Sequence, residues 1–505
     1  MKSVKKKTER IQRNFSAEKR ARAKTANEKQ THSKTADEKR ARAKIANEKQ
    51  TTGKRETGAQ PEERQTLRAE EKIYRAIVIG GGAAGLFFAA KYGNDGVLVL
   101  EKGERAGRKL SATGGGWGNV TNVNAGAENG DEGYFSCFPE GKDKIREALK
   151  EFSSADLRQF LLSIGCITFS DERGRVYPAS RQASSLTDCL RAEAARLGAN
   201  ILTGENVENI RLLSEKEATN GAKIAVQTQN AVYFSENVLI CTGGKAAKNF
   251  GSDGAGYAFA RSLGHTVTPL FPVLVQLKCV EKENRTLKGI RVFDGGIALF
   301  DREHEIARLR GDILFTEFGI SGDGAFRVSS YIPYKQAAGG SEEDVFEHGR
   351  LSLSVNFLPD VSAEELKNVL AEKRRKYKDM PVEELLFGIV NNQAGRRIAA
   401  KAADKYGDLS RRTAEEVAAA LAETAKDYRM TITGTLGFDN AQATRGGVPL
   451  SEVNGDFSSV FAPNVYFAGE ILDCDGACGG YNLQWAYSSA CTAGKSMFGN
   501  DGEKQ

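Results

Sequence analysis

Glycine residues at a strand-to-helix turn give the first indication of chemistry in this 505-residue chain. The apolar run at residues 76–79 ends at Gly80, and a helix-like segment follows at residues 83–91. Gly80 suits a tight turn, Gly82 lets a pyrophosphate approach the helix amino terminus, and Gly85 lets helix and strand pack closely. The turn therefore predicts a dinucleotide site, in which the expected contacts are Gly80, Gly82, Ala83, Ala84 and Gly85.

An acidic residue closes the next predicted strand. Residues 97–100 form a second short apolar run, and Glu101 follows it about 20 residues after Gly80, the spacing at which a carboxylate accepts from a ribose hydroxyl. We expect Glu101 and the adjacent Lys102 to lie beside an adenosine ribose that lacks a 2′-phosphate. This pattern alone does not separate FAD from NAD.

Three further segments favour FAD. Residues 107–122 are rich in glycine, lie where a flavoprotein chain passes the pyrophosphate and the isoalloxazine, and permit close approach to both. Residues 241–244 end a predicted strand in the manner of flavin enzymes, and residues 465–470 form another strand and turn, ahead of a helix that starts near residue 481. The residues predicted to hold FAD in these segments are Arg108, Lys109, Thr113, Gly114, Gly115, Asn119, Thr121, Asn122, Thr242, Gly243, Gly244, Gly469, Glu470, Gly480, Tyr481, Asn482 and Leu483.

The helix near residue 481 has a predicted electrostatic role. Its amino terminus would point at the N1/O2 edge of the flavin, where the reduced ring is negative. Gly480, Asn482 and Leu483 are the residues we expect there, although simple core packing of this helix is the alternative.

The elements that position these motifs are arranged as an α/β fold with an insertion. Nucleotide-binding signals occupy residues 73–268 and resume in residues 440–500, and we assign both to one FAD-binding domain. Residues 269–439 form an inserted domain, with strand-like runs at 273–277 and 313–315 and helix-like segments at 363–378 and 413–428. A chain of this length has room for at least two domains.

A basic segment precedes the predicted domains. Residues 1–68 contain 21 Lys and Arg against 9 Asp and Glu, whereas the rest of the chain has 51 against 57, and residues 16–50 carry a repeat of period 20. We interpret residues 1–72 as a solvated low-complexity tail, disordered or loosely helical. The alternative is a basic arm for nucleic acid, and no other part of the chain predicts such a partner.

The remaining composition favours a cytoplasmic protein. Eight scattered Cys show no paired spacing of the zinc-binding kind, so we predict no metal site. No stretch approaches the roughly 18–20 apolar residues of a membrane span, and we expect no membrane partner. The sequence does not predict an oligomeric state.

The ordered motifs resemble the BaiN/YhiN-like flavoproteins, a family also described as aminoacetone-oxidase-like. The resemblance covers about residues 73–497 and is most specific in residues 111–122, 242–265, 444–448 and 468–486. It implies a Rossmann-like FAD/NAD(P)-binding domain of the glutathione-reductase type, built from both ends of the chain, with an insert that combines a small β-barrel and helices.

The resemblance has two departures. Trp117 and Gly118 stand where the family loop usually has Arg and Cys, so no role of that pair is carried over. Cys474 and Cys478 also replace other residues; they are interpreted as packed thiols, with a redox pair beside the flavin as the less favoured alternative.

The expected activity is that of an FAD-dependent oxidoreductase acting on a small molecule. The resemblance implies either reduction of an activated C=C bond, with NAD(P)H as electron donor, or oxidation of a small amine. No residue is singled out as catalytic: His265 is interpreted as structural, and Tyr481 and Arg445 could either orient a substrate or bond to the backbone. The alternative function is an RNA-associated flavoprotein anchored by the basic tail.

Overall fold

The structure is a computed structural model that describes residues 68–126, 133–136, 141–218, 220–334 and 345–499. The repeat in residues 16–50, with the proposed nucleic-acid arm, lies outside the described residues. The first strand already begins at Arg68 and so includes the end of the segment assigned to the tail.

The described strands and helices are as follows. The strands are β1 (Arg68–Ile79), β2 (Val97–Glu101), β3 (Thr121–Asn122), β4 (Tyr134–Phe135), β5 (Thr168–Ser170), β6 (Arg175–Pro178), β7 (Asn200–Thr203), β8 (Val207–Leu212), β9 (Ile224–Thr228), β10 (Ala231–Ile240), β11 (Phe271–Val273), β12 (Leu277–Cys279), β13 (Arg291–Asp301), β14 (His304–Phe315), β15 (Gly319–Ser321), β16 (Leu351–Asn356), β17 (Tyr428–Thr435), β18 (Ala443–Arg445), β19 (Val465–Phe467) and β20 (Asp475–Gly476). The α-helices are α1 (Ala83–Tyr92), α2 (Lys142–Glu151), α3 (Ser154–Ser163), α4 (Ala183–Arg196), α5 (Gly256–Ser262), α6 (Asp323–Ser329), α7 (Ala363–Lys376), α8 (Asn392–Tyr406), α9 (Ala414–Lys426) and α10 (Tyr481–Phe498).

A seven-stranded sheet is the centre of the fold. Its order is β7-β2-β1-β10-β9-β8, and β19 pairs with the carboxyl half of β10. The strands β7, β2, β1, β10 and β19 pair in parallel, whereas β9 pairs antiparallel with both of its neighbours, β10 and β8. Residues 76–79 and 97–100 are almost fully buried, because helices cover both faces of a parallel sheet. The predicted Rossmann-like α/β fold is confirmed.

Alternation along the strands separates the core into two layers. Val78, Val99 and Leu239 point to the face that packs against α1, α4 and α10. Ile77 and Ile240 point to the other face, which packs against α5. Because side chains alternate between the two faces along each strand, α1 and α10 pack against the same face of the sheet.

The inserted region contains a closed antiparallel barrel with strand order β12-β15-β14-β13-β16-β17. The helices α7, α8 and α9 share one apolar cluster with the barrel strands. This agrees with the barrel-plus-helix insert that the family resemblance implies. The described chain from β1 onward packs as one compact unit, so its division into two domains stays a prediction.

One expected strand in the insert is wrong. Residues 273–277 are an apolar run that predicts a single strand, yet β11 ends at Val273 and β12 begins at Leu277. Leu274 has a φ of 53°, outside the extended region, and the chain there leaves β18, the partner of β11, and enters the barrel. Hydrophobic alternation cannot reveal such a change of sheet.

Candidate functional site

The carboxyl ends of four neighbouring strands meet at one edge of the main sheet. In the register of the sheet, Ile79 lies beside Leu100 and Ile240, and Ile240 lies beside Phe467. The glycine turn, the acidic residue and the two later turns therefore emerge side by side. This edge is where ligands bind in open parallel sheets.

The glycine turn opens directly onto α1. A Cβ on Gly85 would lie 2.0 Å from the carbonyl oxygen of Gly80, so only glycine allows this close approach of helix and strand. A Cβ on Gly82 would meet no atom within 4 Å, and no side chain caps the first turn of α1. The open space and the uncapped helix amino terminus fit the pyrophosphate of FAD.

The Glu101 carboxylate is already fixed by the backbone around it. Its Oε2 accepts from the Gly81 N–H at 2.9 Å, and its Oε1 accepts from the Gly103 N–H at 2.7 Å. Each oxygen keeps a further lone pair that can accept from a ribose hydroxyl. Next to it, Lys102 forms an ion pair of 2.7 Å with Asp253.

Glu470 joins three distant segments at the centre of the site. Its Oε2 pairs with the Lys109 ammonium at 2.8 Å, and its Oε1 accepts from the Thr444 N–H at 2.8 Å. The Gly244 N–H donates more weakly to Oε2, at 3.4 Å. Glu470 therefore holds the loop at 107–122 against the turn that follows β10 and against β18 itself.

The amino terminus of α10 is held in place by two asparagines. Asn482 donates to the Gly476 carbonyl at 2.7 Å and accepts from the Gly476 N–H at 2.8 Å. With its amide oxygen facing Gly480, Asn119 accepts from the Gly480 N–H at 3.0 Å and donates to the Thr121 carbonyl at 3.1 Å. Helix α10 begins where the sequence predicts, with Gly480 as its cap at a φ of 104°.

These segments surround a cavity of about 730 Å³. All but five of the residues predicted to hold the cofactor line it: Gly80, Gly82, Ala83, Ala84, Glu101, Lys102, Arg108, Lys109, Thr113, Gly114, Gly115, Asn119, Thr242, Gly243, Gly469, Glu470, Gly480, Asn482 and Leu483. Gly85, Thr121, Asn122, Gly244 and Tyr481 do not line the cavity. The geometry thus brings the four motifs to one cavity.

Residues behind the cavity wall support it. Thr121 donates to the Gln484 side chain at 2.6 Å, and Asn122 donates to the Gly479 carbonyl at 3.0 Å. The Tyr481 ring packs edge-to-face on Tyr134 with centroids 5.6 Å apart. These contacts tie β3 and the start of α10 together.

One side of the cavity was not predicted from the sequence. Arg175 and Tyr177 of β6, Asp323 of α6 and Cys478 line it, and we call these four residues the polar wall. Burial alternates along β6, with Val176 and Pro178 buried and the two wall residues half-buried. The period-two pattern of this short strand was the available signal, but no glycine motif marks it.

Arg445, whose role the sequence leaves open, and His265, which is interpreted from the sequence as structural, do not line the cavity. Arg445 forms a buried bidentate ion pair with Asp475, both distances being 2.8 Å. The His265 Nδ1 lies 3.2 Å from Glu452 and its Nε2 lies 2.6 Å from the Ser459 hydroxyl. Burial lowers the pKa of His265 below its usual value, as expected for a neutral structural histidine.

Cys474 and Cys478 are free thiols. Burial raises the pKa of Cys478 to about 11, and it holds the pKa of Cys474 well above the usual thiol value. Thiolate is the reactive form of cysteine, so neither side chain has the environment of a redox nucleophile.

The parallel sheet, the glycine turn at α1 and the cavity at the carboxyl edge define a Rossmann-type dinucleotide-binding flavoprotein. The profile of the family described as "HI0933-like protein Rossmann domain" matches residues 74–496, and the chain belongs to this family. It is an FAD-dependent oxidoreductase, as the sequence predicted.

Three curated relatives align over nearly their whole length. The chain is 33% identical over 429 residues to the 3-dehydro-bile acid delta(4,6)-reductase of Clostridium scindens, covering 84% of this chain and 98% of that protein. It is similar to two proteins named ribosomal RNA dihydrouridine synthase: 27% identical over 428 residues in Haemophilus influenzae, covering 83% and 98%, and 28% identical over 434 residues in Escherichia coli, covering 84% and 98%.

The described residues show neither a membrane-spanning helix nor a metal-binding cluster. No helix there is both long and apolar enough to cross a bilayer. Within the same ranges, no group of three or more His, Cys, Asp or Glu side chains is placed to hold a metal ion.

Proposed function

We propose that the chain reduces a C=C bond conjugated to a carbonyl in a small organic molecule, with NADH or NADPH as the electron donor. The main support is the likeness to a protein named as a delta(4,6)-reductase, at 33% identity over 98% of that protein. Reduced FAD would supply the hydride equivalent, which no amino-acid side chain can provide.

The proposed cofactor site follows the cavity from one end to the other. Glu101 would bind the ribose, and the amino terminus of α1 would bind the pyrophosphate. Lys109 and Thr113 would contact the part of the cofactor between the pyrophosphate and the flavin ring. Gly480, Asn482 and Leu483 would place the positive end of α10 against the ring edge that becomes negative on reduction. This electrostatic arrangement favours the reduced cofactor.

The substrate would enter beside the polar wall. Three residues of the insert, Leu274, Asp323 and Phe326, line the cavity together with the residues of the FAD-binding part. An apolar face with a few polar groups suits a flat enone whose carbonyl needs orientation. The chain has no second dinucleotide fingerprint, so the nicotinamide donor would use this same opening in turn.

The test is product analysis with a 3-oxo-Δ4,6 bile acid and with simple cyclic enones. Under anaerobic conditions with NADH or NADPH, we expect a product two hydrogens heavier than the substrate. Aminoacetone with oxygen is the comparison reaction. Consumption of the amine, with no reduction of any enone, would refute the proposal in favour of amine oxidation.

The second candidate substrate is a uracil base in RNA, since the same chain resembles two proteins named ribosomal RNA dihydrouridine synthase. A contact on the surface favours this candidate: the exposed Trp117 ring lies 5.5 Å from the Arg181 guanidinium, which lies 5.3 Å from the Phe169 ring. Guanidinium and aromatic planes of this kind stack on unpaired bases.

RNA binding has its own test. Affinity for a single-stranded RNA should fall steeply with salt, and Trp117→Ala or Arg181→Ala should weaken it. Removal of residues 1–67 separates the contribution of the basic segment from that of this surface. Salt-independent affinity, or no binding by the full chain, would refute this candidate.

A further inference from the structure

The polar wall brings together three segments that lie far apart in the sequence. Arg175 and Tyr177 come from β6, Asp323 begins α6 in the insert, and Cys478 precedes α10. Arg175 and Tyr177 share one face of the strand, because successive side chains alternate and Val176 between them is buried in the core. Both side chains therefore project toward the cavity.

Three members of the wall have polar partners. Arg175 binds Asp171 through its Nε at 2.8 Å. The Asp323 carboxylate accepts from Arg173 at 3.1 Å, and the Cys478 Sγ lies 4.0 Å from Asp323. Their polar groups are thus engaged with the protein.

Tyr177 differs from its neighbours on the wall. Two side chains contact its ring: Phe169 stacks on it with centroids 5.8 Å apart, and the Arg175 guanidinium lies 6.0 Å from the ring centroid. Among the described residues, no group forms a hydrogen bond with its hydroxyl. A rigid ring with an uncommitted O–H at a cavity wall is suited to donate that proton to a ligand.

We propose that Tyr177 is the catalytic proton donor of the reduction, an inference that rests on the proposed function. A hydride equivalent, carrying two electrons, reaches the β carbon of the enone. The Tyr177 O–H bond breaks, and its proton forms the new C–H bond at the α carbon. The substrate thereby gains two hydrogens and two electrons, and the tyrosinate left behind recovers a proton from water.

The charges around Tyr177 suit this role. Burial, the dominant cause, raises the pKa of Tyr177, and Asp171, Cys478 and Asp323 raise it further, whereas Arg175 opposes them. The hydroxyl therefore stays protonated at neutral pH. Once the proton has left, the Arg175 guanidinium beside the ring stabilises the phenolate. The half-buried position of Tyr177 leaves a route for water to restore the proton.

The decisive variant is Tyr177→Phe, which keeps the ring and its stacking. The reductive half-reaction with NADH or NADPH and the FAD content should be unchanged. Reoxidation of the reduced enzyme by the 3-oxo-Δ4,6 bile acid or a cyclic enone should be slowed about 10²- to 10⁴-fold, since a general acid contributes this much. Binding of the enone, followed by the change in the flavin spectrum, should be retained.

The matched control is Tyr377→Phe, which removes a hydroxyl from an exposed tyrosine after α7 and should leave both half-reactions unchanged. If the wild type is reoxidised by the enone and Tyr177→Phe is reoxidised as fast, the proton-donor role is refuted and the proposed function stands. If no enone reoxidises the wild type, the proposed function fails and the role of Tyr177 fails with it.

A second measurement follows the face of the substrate that receives the proton. In D₂O the wild-type product should carry deuterium at the α carbon on a single face, because the exchanged Tyr177 O–D delivers it from one side. Residual product from Tyr177→Phe should carry deuterium on both faces, since water then protonates the intermediate. A wild-type product labelled on both faces would overturn the assignment.

Discussion

Replacing Glu101 by alanine removes an acceptor that serves the protein and, by the proposed function, the cofactor. The carboxylate accepts from the N–H groups of Gly81 and Gly103 at 2.9 and 2.7 Å, and it lines the cavity at the carboxyl end of β2. With alanine, both amides lose their partner and the ribose hydroxyl has no anionic acceptor. Glu101→Gln keeps the shape and one carbonyl oxygen, so its effect should be smaller.

The size of the effect follows from these contacts. A hydrogen bond to a charged group contributes about 1.5–3 kcal/mol, which corresponds to a roughly 10- to 150-fold weaker affinity for FAD. The free energy of unfolding of the apoprotein should fall by about 1–3 kcal/mol, because water can enter the space and solvate the two amides only in part. Cofactor binding and stability should therefore fall by comparable free energies.

The assay is titration of the apoprotein with FAD, followed by quenching of flavin fluorescence, with urea unfolding measured in parallel. Glu104→Ala is the matched control, because Glu104 is exposed on the same loop. It should change neither quantity. A Glu101→Ala protein that binds FAD as tightly as the wild type would refute the ribose assignment, even if its stability were lowered.

Three other perturbations test the framework of the site. Gly480→Ala places a Cβ 2.3 Å from the Thr121 carbonyl carbon at a φ of 104°. It should lower the free energy of unfolding by about 1–3 kcal/mol and reduce the flavin content of the purified protein. Normal flavin content would contradict the proposed position of α10. Asp475→Asn removes the charged carboxylate that pairs with the buried Arg445, and urea unfolding should show the free energy of unfolding lowered by about 3–5 kcal/mol. The double variant Arg445→Met with Asp475→Leu should recover much of this loss. An equal loss in the single and the double variant would argue against a contribution from the ion pair. The free energy of unfolding should fall as the pH is lowered from about 7 to about 5. The reason is that the pKa of His265 is lowered in the folded protein, so the unfolded chain binds more protons below about pH 6.5. His265→Gln should flatten this pH dependence.

The edge of the main sheet that carries the proposed cofactor site can be predicted from local sequence. The short apolar run at 76–79, the glycines and the helix formers after them predict the end of β1, the turn and α1 within a residue or two, since these determinants are neighbours in the chain, whereas the start of β1 at Arg68 is not predicted. The same is true of Glu101 and of the start of α10. Sequence order alone, however, does not say that Glu470 pairs with Lys109, which lies 361 residues away, because that contact depends on the register of β19 beside β10.

The substrate side of the cavity could not be predicted in this way. Tyr177 lies on a strand of four residues with no distinctive motif, and Asp323 reaches the same wall from the insert. The insert itself is expected from the interruption of the nucleotide-binding signals, whereas its barrel-plus-helix composition is implied only by the family resemblance. The single strand expected at residues 273–277 is wrong. Side chains that meet across a cavity have no fixed separation in the sequence, so their proximity is seen only in the folded chain.

The most direct test of the proposed chemistry is a double-mixing experiment on the purified protein without oxygen, following the flavin band near about 450 nm. NADH or NADPH in the first mixing should bleach the band, and an enone in the second should restore it while the saturated product forms. A reduced flavin that no enone reoxidises, or a band that neither nicotinamide bleaches, would contradict the account of this chain as a nicotinamide-linked C=C reductase.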